Sequence, residues 1–162
     1  MTKDALAEKR ALVAELVRRL EVELETLEAA QRATQEAATH EEARPENDKD
    51  TRALEQSYLA RGQAKRALEL RAALDAARAT PVRAFAEGVP IALGALVTLE
   101  DDRGEQRVLI APSGGGEELA GGVRVVTPPS PVGAALLGKV EGDEVELRQG
   151  GRVRTIAILA VR

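Results

Sequence analysis

Residues 127–147 read TPPSPVGAALLGKVEGDEVEL, and the order of residues in this stretch is unusually specific. Ser130 before Pro131 is typical of a helix N-cap followed by a first-turn proline, which predicts a short helix over residues 131–137. A strand is predicted next, at Glu144–Arg148. We therefore expect the second half of the chain to combine helix and sheet.

The rest of the second half is rich in Val, Ile, Gly and turn residues, which predicts a small antiparallel sheet. The predicted strands are Ala95–Glu100, Gln106–Ala111, Val123–Thr127, Glu144–Arg148 and Arg152–Val161. Hairpin turns are expected at Asp101–Gly104 and Gln149–Gly151. Ser113–Gly116 lacks the G-K-[ST] ending of a phosphate-binding loop and is expected to be a flexible strand connection. Pro and Gly mark a linker over residues 81–93, so we expect an α+β domain at residues 94–162.

The first half is rich in Ala, Leu, Glu and Arg, which are strong helix formers. A long helix over about residues 3–36 is predicted, because apolar residues recur every seven positions. These residues are Leu6, Val13, Leu20 and Leu27. Pro45 interrupts the pattern, and a second helix is predicted from near Asn47 or Asp48 to about Ala79. Its apolar face is less bulky and consists of Leu54, Tyr58, Ala64, Leu68 and Ala72.

Neither helix can bury its apolar face alone, so we expect an antiparallel helical hairpin, a coiled coil, over residues 1–80. The alternative is pairing of the first helix with a second copy of the chain. Gly62 lies inside the second helix, where glycine costs about 1 kcal/mol relative to alanine. A close approach of the two helices would explain this glycine.

Between the helices lies an acidic crest, residues 36–50, which reads EAATHEEARPENDKD. It holds six carboxylates against the cations Arg44 and Lys49. Charge is common in a solvated loop between helices, but several neighbouring carboxylates can also coordinate a hard divalent cation. The spacing does not fit an EF-hand, so we expect at most a weak metal site that another protein completes.

The composition disfavours several classes of function. The chain has 162 residues and a net charge of −4 at pH 7, which disfavours a general nucleic-acid binder and direct sequence-specific DNA binding. It has no cysteine and a single histidine, His40, so thiol chemistry is excluded and histidine-rich metal sites are disfavoured. There is neither an apolar run of the ~18 residues that span a membrane nor a signal-peptide pattern, so we expect a cytoplasmic protein without membrane contact.

Residues 127–147 resemble the C-terminal domain of the Gre family, bacterial transcript-cleavage factors of RNA polymerase. That family has a Ser-Pro-[hydrophobic]-Gly/Ala-x-Ala-Leu-Leu-Gly-Lys stretch, matched here from Ser130 to Lys139, then a Val-Gly-Asp-Glu-Val-like turn and a final strand. The first half is also similar to the family, which has a helical hairpin with an acidic tip. Gly62 falls where the second Gre helix has a glycine, counted from the Glu-Asn pair at residues 46–47. The resemblance covers nearly the whole chain.

This resemblance implies a C-terminal domain with an FKBP-like fold and a hairpin that enters the secondary channel of the polymerase. The acids at its tip would help to hold Mg²⁺ and a water at the active centre. The implied catalytic residues are Glu42 and Glu46. The implied metal ligands, a set that the polymerase completes, are Glu41, Glu42, Glu46 and Asp48. The implied polymerase-binding residues are Ser130, Pro131, Leu136 and Leu137.

The same resemblance implies a partner and a role. The partner is bacterial RNA polymerase, with indirect contact to the nascent RNA, and the factor is expected to be a monomer. It would not be an enzyme by itself but a cofactor of the polymerase's intrinsic RNA cleavage. No tightly bound cofactor is expected, because the Mg²⁺ belongs to the polymerase active centre.

The tip departs from the family pattern. The family reads Asp-Leu-Ser-Glu-Asn, whereas residues 43–47 read ARPEN, so Glu46 matches the family Glu and Ala43 replaces the Asp. Glu42 could replace that Asp through a shift of one residue or through its longer side chain. Stimulation of cleavage and inhibition by occupying the channel therefore both stay open.

Two further classes of function also stay open. The similarity of the Gre C-terminal fold to FKBP suggests a peptidyl-prolyl isomerase, although such sites are lined with aromatics and the second half offers only Phe85. A coiled-coil adaptor unrelated to transcription would instead form a stable parallel dimer through the first helix.

Overall fold

The computed structural model describes residues 2–41 and 49–162. Two long helices come first, α1 (Thr2–Glu41) and α2 (Lys49–Arg78). The remaining elements are β1 (Leu96–Asp101), β2 (Gly104–Ile110), β3 (Glu118–Leu119), β4 (Val123–Val126), α3 (Pro131–Leu136), β5 (Glu144–Gln149) and β6 (Arg152–Val161). The predicted α+β class, with a helical hairpin before a sheet domain, is confirmed.

The two long helices pair with each other and run in opposite directions. Glu21 on α1 forms an ion pair with Arg78 on α2, and Glu28, farther along α1, pairs with Arg71, earlier on α2. Exposed ion pairs of this kind contribute about 0.2–1 kcal/mol each. They therefore define the register of the helices more than they stabilise them.

Apolar side chains hold the hairpin together near its base. The buried side chains there are Leu12, Leu16 and Leu20 of α1 and Ala67, Leu70, Leu74 and Ala77 of α2. Of the four apolar residues predicted to recur every seven positions along α1, Leu20 is buried, whereas Leu6, Val13 and Leu27 are only partly buried. The helix α1 also runs five residues beyond its expected end, to Glu41.

The apolar face predicted for α2 is wrong. Leu54, Tyr58 and Leu68 are 57%, 65% and 64% exposed, and Ala64 and Ala72 are exposed too. The other side of α2 packs on α1, because it places Leu70 and Leu74 where they join the apolar cluster shared with the sheet.

The reason expected for Gly62 is also wrong. A Cβ atom at Gly62 would meet no heavy atom within 4 Å, apart from the chain neighbours and the backbone of its own helical turns. No close approach of the helices therefore requires a glycine at this position.

The sheet has the strand order β3-β4-β2-β1-β6-β5. Two-residue turns join β1 to β2 and β5 to β6, as the sequence predicts. All the pairs are antiparallel except β2 with β4, where Arg107 is aligned with Val123 and Ile110 with Val126 in a parallel register. The short edge strand β3 and this parallel pair were not predicted.

The two faces of the sheet pack against different parts of the chain, because successive side chains of a strand point to opposite faces. Val97 and Val108 belong to a cluster that includes Leu136 of α3. Leu96 and Leu109 belong to the cluster that contains the base of the hairpin. The sheet thus lies between α3 and the hairpin. The predicted domain boundaries, at residues 80–81 and 93–94, stay predictions.

Candidate functional site

The hairpin extends far beyond the sheet that supports it. Its base is buried through Leu20 of α1, whereas α1 continues to Glu41 and α2 begins at Lys49. At 1.5 Å per residue, Glu41 lies about 30 Å along the helix axis from Leu20. The described ends of the two helices, which include residues 36–41 and 49–50, therefore lie remote from the sheet.

The predicted acidic site falls mostly outside the described residues. Glu42, Glu46 and Asp48 lie outside them, and Glu41 is described only as the last residue of α1. Among the residues that the structure does describe, no group of three or more His, Cys, Asp or Glu could hold a metal ion. The catalytic and metal-binding roles of these acids stay predictions.

A buried lysine near the start of α1 ties the hairpin to the sheet. The side chain of Lys9 is 1% exposed. Its Nζ atom donates to the main-chain oxygens of Gly94 and Arg162, both at 2.9 Å, and to that of Arg83. Arg83 and Gly94 lie near the two ends of the connection between α2 and β1, and Arg162 follows β6. One ammonium group therefore joins α1 to this connection and to the end of β6.

The ammonium group of Lys9 is buried beside an aromatic ring and a second cation, and this environment changes its pKa. The Nζ atom lies 4.7 Å from the centroid of the Phe85 ring, and the guanidinium carbon of Arg83 also lies 4.7 Å from it. Burial, and after it the charge of Arg83, lowers the pKa of Lys9 from 10.5 to about 8. At neutral pH the group is still mainly an ammonium with three N–H donors, which matches its three acceptors.

Further polar contacts of α1 complete the joint, which is the contact region between the base of the hairpin and the sheet domain. Glu15 accepts a hydrogen bond from the main-chain N–H of Ala120 at 2.9 Å, and Arg19 bridges Glu15 and Glu117. The Ala120 N–H and then Arg19 lower the pKa of Glu15. Glu8 pairs with Arg107 of β2 at 2.7 Å. Since these contacts are spread along α1, they oppose rotation of the hairpin on the sheet.

The glycine-rich segment, expected to be only a flexible connection, also lies at this joint. The Ser113 hydroxyl donates to the main-chain oxygen of Ala73 in α2. Gly114 has φ +76°, and a Cβ atom there would lie 2.5 Å from Leu16 Cδ1. This segment therefore contacts both helices, and Gly114 leaves the room that Leu16 occupies.

Sequence reasoning missed this joint, although one signal was present. Lys9 lies three residues before Leu12 and seven before Leu16, so it has a position on the buried face of α1. A lysine on an apolar face is most simply explained by a set of acceptors that the sequence does not identify.

The predicted polymerase-binding residues lie at the two ends of the short helix α3. Ser130 caps α3, since its Oγ accepts from Gly133 N at 3.0 Å and donates to Thr127 O at 2.7 Å. Pro131 is exposed and Leu137 is partly exposed, so both are accessible to a partner. Leu136 is 0% exposed and belongs to the core, so it would act only by holding α3 in place. The binding role of this group stays a prediction.

No helix among the described residues is long and apolar enough to cross a membrane. This agrees with the absence of a long apolar run in the sequence.

The chain was compared with family models, curated proteins and solved structures, and the family match lies in the second half. Residues 88–162 match the family model described as transcription elongation factor, GreA/GreB, C-terminal. Comparison with curated proteins gives no match.

The solved structures that are similar to the chain include two Gfh1 proteins and one GreA/GreB factor. GreA factor homolog 1 (Gfh1) of Thermus thermophilus is 23% identical over 94% of this chain and 95% of its own, with a TM-score of 0.39. Gfh1 of Thermus aquaticus is 20% identical over 90% of this chain and 92% of its own, with a TM-score of 0.38. The GreA/GreB factor of Nitrosomonas europaea is 28% identical over 42% of this chain and 56% of its own, with a TM-score of 0.32.

Proposed function

We propose, because residues 88–162 match the family model of the GreA/GreB transcription elongation factors, that this chain binds RNA polymerase and inserts its hairpin into the secondary channel. The sheet domain would bind at the rim of the channel, and the acidic crest would approach the active centre. The chain would then modulate the polymerase's own RNA cleavage rather than act as an enzyme alone. It would work in the cytoplasm, in indirect contact with the nascent RNA.

The observation that carries this proposal is the way in which the hairpin is supported. Its two helices pair within one chain, and its base shares an apolar cluster with the sheet of the matched domain. The Lys9 contacts and the Glu15–Ala120 hydrogen bond further hold α1 on that domain. A projecting arm fixed at its base suits the delivery of acid groups to a site deep in a partner.

The acids of the crest have distinct proposed roles. Glu46, which matches the Glu of the family tip, and Glu42, which would replace the missing Asp at Ala43, are the proposed catalytic pair. Glu41 and Asp48 would add oxygen ligands from the same end of the hairpin. Carboxylate oxygens suit Mg²⁺, and the Mg²⁺ of the polymerase would supply a polarised water for phosphodiester hydrolysis.

A cleavage assay tests both the partner and the roles. Backtracked elongation complexes would be incubated with the chain, with Glu46→Ala and with Glu42→Ala, and shortening of the RNA would be followed over time. Glu25→Ala is the matched control, because Glu25 is an exposed acid on the side of α1. Affinity for core polymerase would be measured for each variant.

We expect the unmodified chain and Glu25→Ala to accelerate cleavage, and Glu46→Ala to bind equally while losing most of the acceleration. Acceleration that is equal in Glu46→Ala would remove the role of that acid. Binding with slower RNA synthesis and no cleavage would identify an inhibitor that occupies the channel. Absence of binding at low salt would refute the proposal altogether.

The adaptor alternative has less support. A parallel dimer through the first helix needs the α1 seam to be free, whereas Leu12, Leu16 and Leu20 are buried within the chain. A monomer by light scattering is therefore expected, and a stable parallel dimer would favour the adaptor.

A further inference from the structure

A second stripe of residues runs along α2 on the side away from α1. Its members recur at alternating spacings of four and three, so they lie on one side of the helix. The outer stripe consists of Leu54, Tyr58, Arg61, Lys65, Leu68 and Ala72. The residues of α2 that are buried at the base of the hairpin are Ala67, Leu70, Leu74 and Ala77. The second helix thus has two heptad stripes, of which α1 covers one.

The outer stripe exposes large apolar side chains. Leu54, Tyr58 and Leu68 are 57%, 65% and 64% exposed. Single exposed leucines are normal on a protein surface, but here apolar residues at heptad spacing lie at both ends of the stripe, Leu54 and Tyr58 at one end and Leu68 and Ala72 at the other. This arrangement fits a helix or a helical wall. The pattern indicates a surface that a partner covers.

The charges in the middle of the stripe restrict the partner. Arg61 and Lys65 lie between the apolar residues at the two ends, and Lys65 Nζ is 3.9 Å from Glu69 Oε1 of the same helix. If two copies paired antiparallel with Tyr58 opposite Leu68, Arg61 of each would face Lys65 of the other. Parallel pairing would set Arg61 against Arg61. Both arrangements oppose like charges in the centre, which disfavours a second copy as the partner.

The same composition favours protein over nucleic acid. Phosphate recognition would use the two cations but would leave Leu54 and Leu68 uncovered. A protein surface with apolar side chains at both ends and carboxylates between them complements the whole stripe.

The geometry points to the outer stripe of α2 as a docking surface for a helical wall of a partner protein, apolar at its ends and acidic in its centre. This inference rests on the proposed function, under which that wall belongs to RNA polymerase and lines the path of the hairpin. The stripe would then secure the shaft of the hairpin, while the crest works at its tip.

Photocrosslinking identifies what covers the stripe. Tyr58→p-benzoylphenylalanine would be mixed with core polymerase and nascent-RNA complexes and irradiated, with Val22→p-benzoylphenylalanine as the control at a position of similar exposure (56%) on α1. We expect position 58 to crosslink to a polymerase subunit. A crosslink to RNA or to a second copy of the chain would overturn the inference in favour of that occupant.

Charge reversal tests the acidic centre. We expect Arg61→Glu/Lys65→Glu to weaken binding to core polymerase by at least about tenfold, as loss of a central charged contact does at interfaces. Arg10→Glu/Arg32→Glu changes the charge of α1 equally at exposed positions, so it controls for general electrostatic attraction. Helix content by circular dichroism is expected to be the same in all three proteins.

The outcomes separate the two proposals. If the unmodified chain binds and the Arg61/Lys65 variant binds equally well, the docking surface is refuted while the proposed function stands. Equal losses in both double variants would also refute it, because the effect would then be general. If the unmodified chain does not bind polymerase, the proposed function fails and this inference fails with it.

Discussion

Lys9 shows how one residue decides the geometry of the joint. Its side chain is buried, yet it is satisfied because its ammonium group donates to three main-chain oxygens, two in the connection between α2 and β1 and one after β6. Burying a charged group is costly unless its hydrogen bonds are replaced, so the site requires all of these acceptors to be in place together. Lys9 thus makes the position of α1 depend on the segments around the sheet.

Replacing Lys9 with methionine keeps much of the side-chain volume but removes every donor. We expect Lys9→Met to lower the free energy of unfolding by about 2–3 kcal/mol, because buried main-chain oxygens lose hydrogen bonds. Urea denaturation followed by circular dichroism measures the change. Lys3→Met, at an exposed position, is the control; an equal effect of the two substitutions would contradict a special role for Lys9.

The lowered pKa of Lys9 predicts a pH dependence. Its pKa is about 8 in the folded chain and 10.5 ordinarily, so between these values the unfolded chain binds more protons than the folded one. The free energy of unfolding contributed by Lys9 therefore rises with pH in this window, by at most about 1.4 kcal/mol per pH unit.

The measurement is the difference in unfolding free energy between the unmodified chain and Lys9→Met at several pH values from 7 to 10.5. Because Lys9→Met lacks the titrating group, this difference isolates its contribution from those of other groups. We expect the difference to be constant near pH 7 and to grow above pH 8. A difference that shrinks as the pH rises would show that the pKa of Lys9 is raised instead.

At the scale of the element, the hairpin has two unequal parts. The base is held by Leu16, Leu20, Leu70 and Leu74, whereas α2 residues 51–62 are exposed throughout. Helical stability in proteins comes mainly from packing of an apolar face, so the outer part depends more on intrinsic helix propensity than the base does. The changes in stability caused by substitutions in this outer part are therefore expected to follow the helix propensities of the residues.

Gly62→Ala tests this expectation. No heavy atom outside its own helical surroundings lies within 4 Å of the position of the new Cβ atom, so we expect the hairpin to gain about 1 kcal/mol from improved helix propensity. Gly133→Ala in α3 is the contrasting variant, since its Cβ atom would lie 2.0 Å from Thr127 O, and it is expected to destabilise the fold. Thermal unfolding measures both; a destabilising Gly62→Ala would reveal a packing contact at that face.

At the scale of the whole molecule, the hairpin and the sheet share one apolar cluster. Leu12, Leu16 and Leu74 pack in the same cluster as Leu96, Leu109 and Val125 of the sheet. Because apolar burial is the main favourable term in folding, neither part keeps its full stability without the other. The base of the hairpin and the sheet are therefore expected to unfold as one cooperative unit.

Leu16→Ala probes this cooperation, since Leu16 is fully buried in the shared cluster. We expect Leu16→Ala to lower the free energy of unfolding by about 3 kcal/mol, as is typical of a buried leucine. Amides that exchange through this unfolding would then exchange on the order of 100-fold faster. We expect the hydrogen-exchange rates of the amides of Leu70 in α2 and Leu109 in β2 to increase by the same factor. Leu27→Ala, farther out on α1, is expected to spare Leu109; unequal acceleration in Leu16→Ala would show that the two parts open separately.

The sequence alone determined the features that depend on neighbouring residues. The cap at Ser130, five of the six strands, the two-residue turns and the break between two long helices follow from local backbone preferences and periodicity. The acidic composition of the crest was also visible, although Glu42, Glu46 and Asp48 lie outside the described residues. The Gre resemblance was carried by the local order of residues 127–147.

Only the tertiary structure decided the features that join distant segments. It determined which side of α2 meets α1, it paired β2 with β4 in parallel, and it assembled the acceptors of Lys9 from residues 83, 94 and 162. For α2, the physical reason is that leucines recur at heptad spacing on both sides of the helix. The choice between them depends on the apolar surface that the folded sheet offers to the base of the hairpin, and no local pattern contains that information.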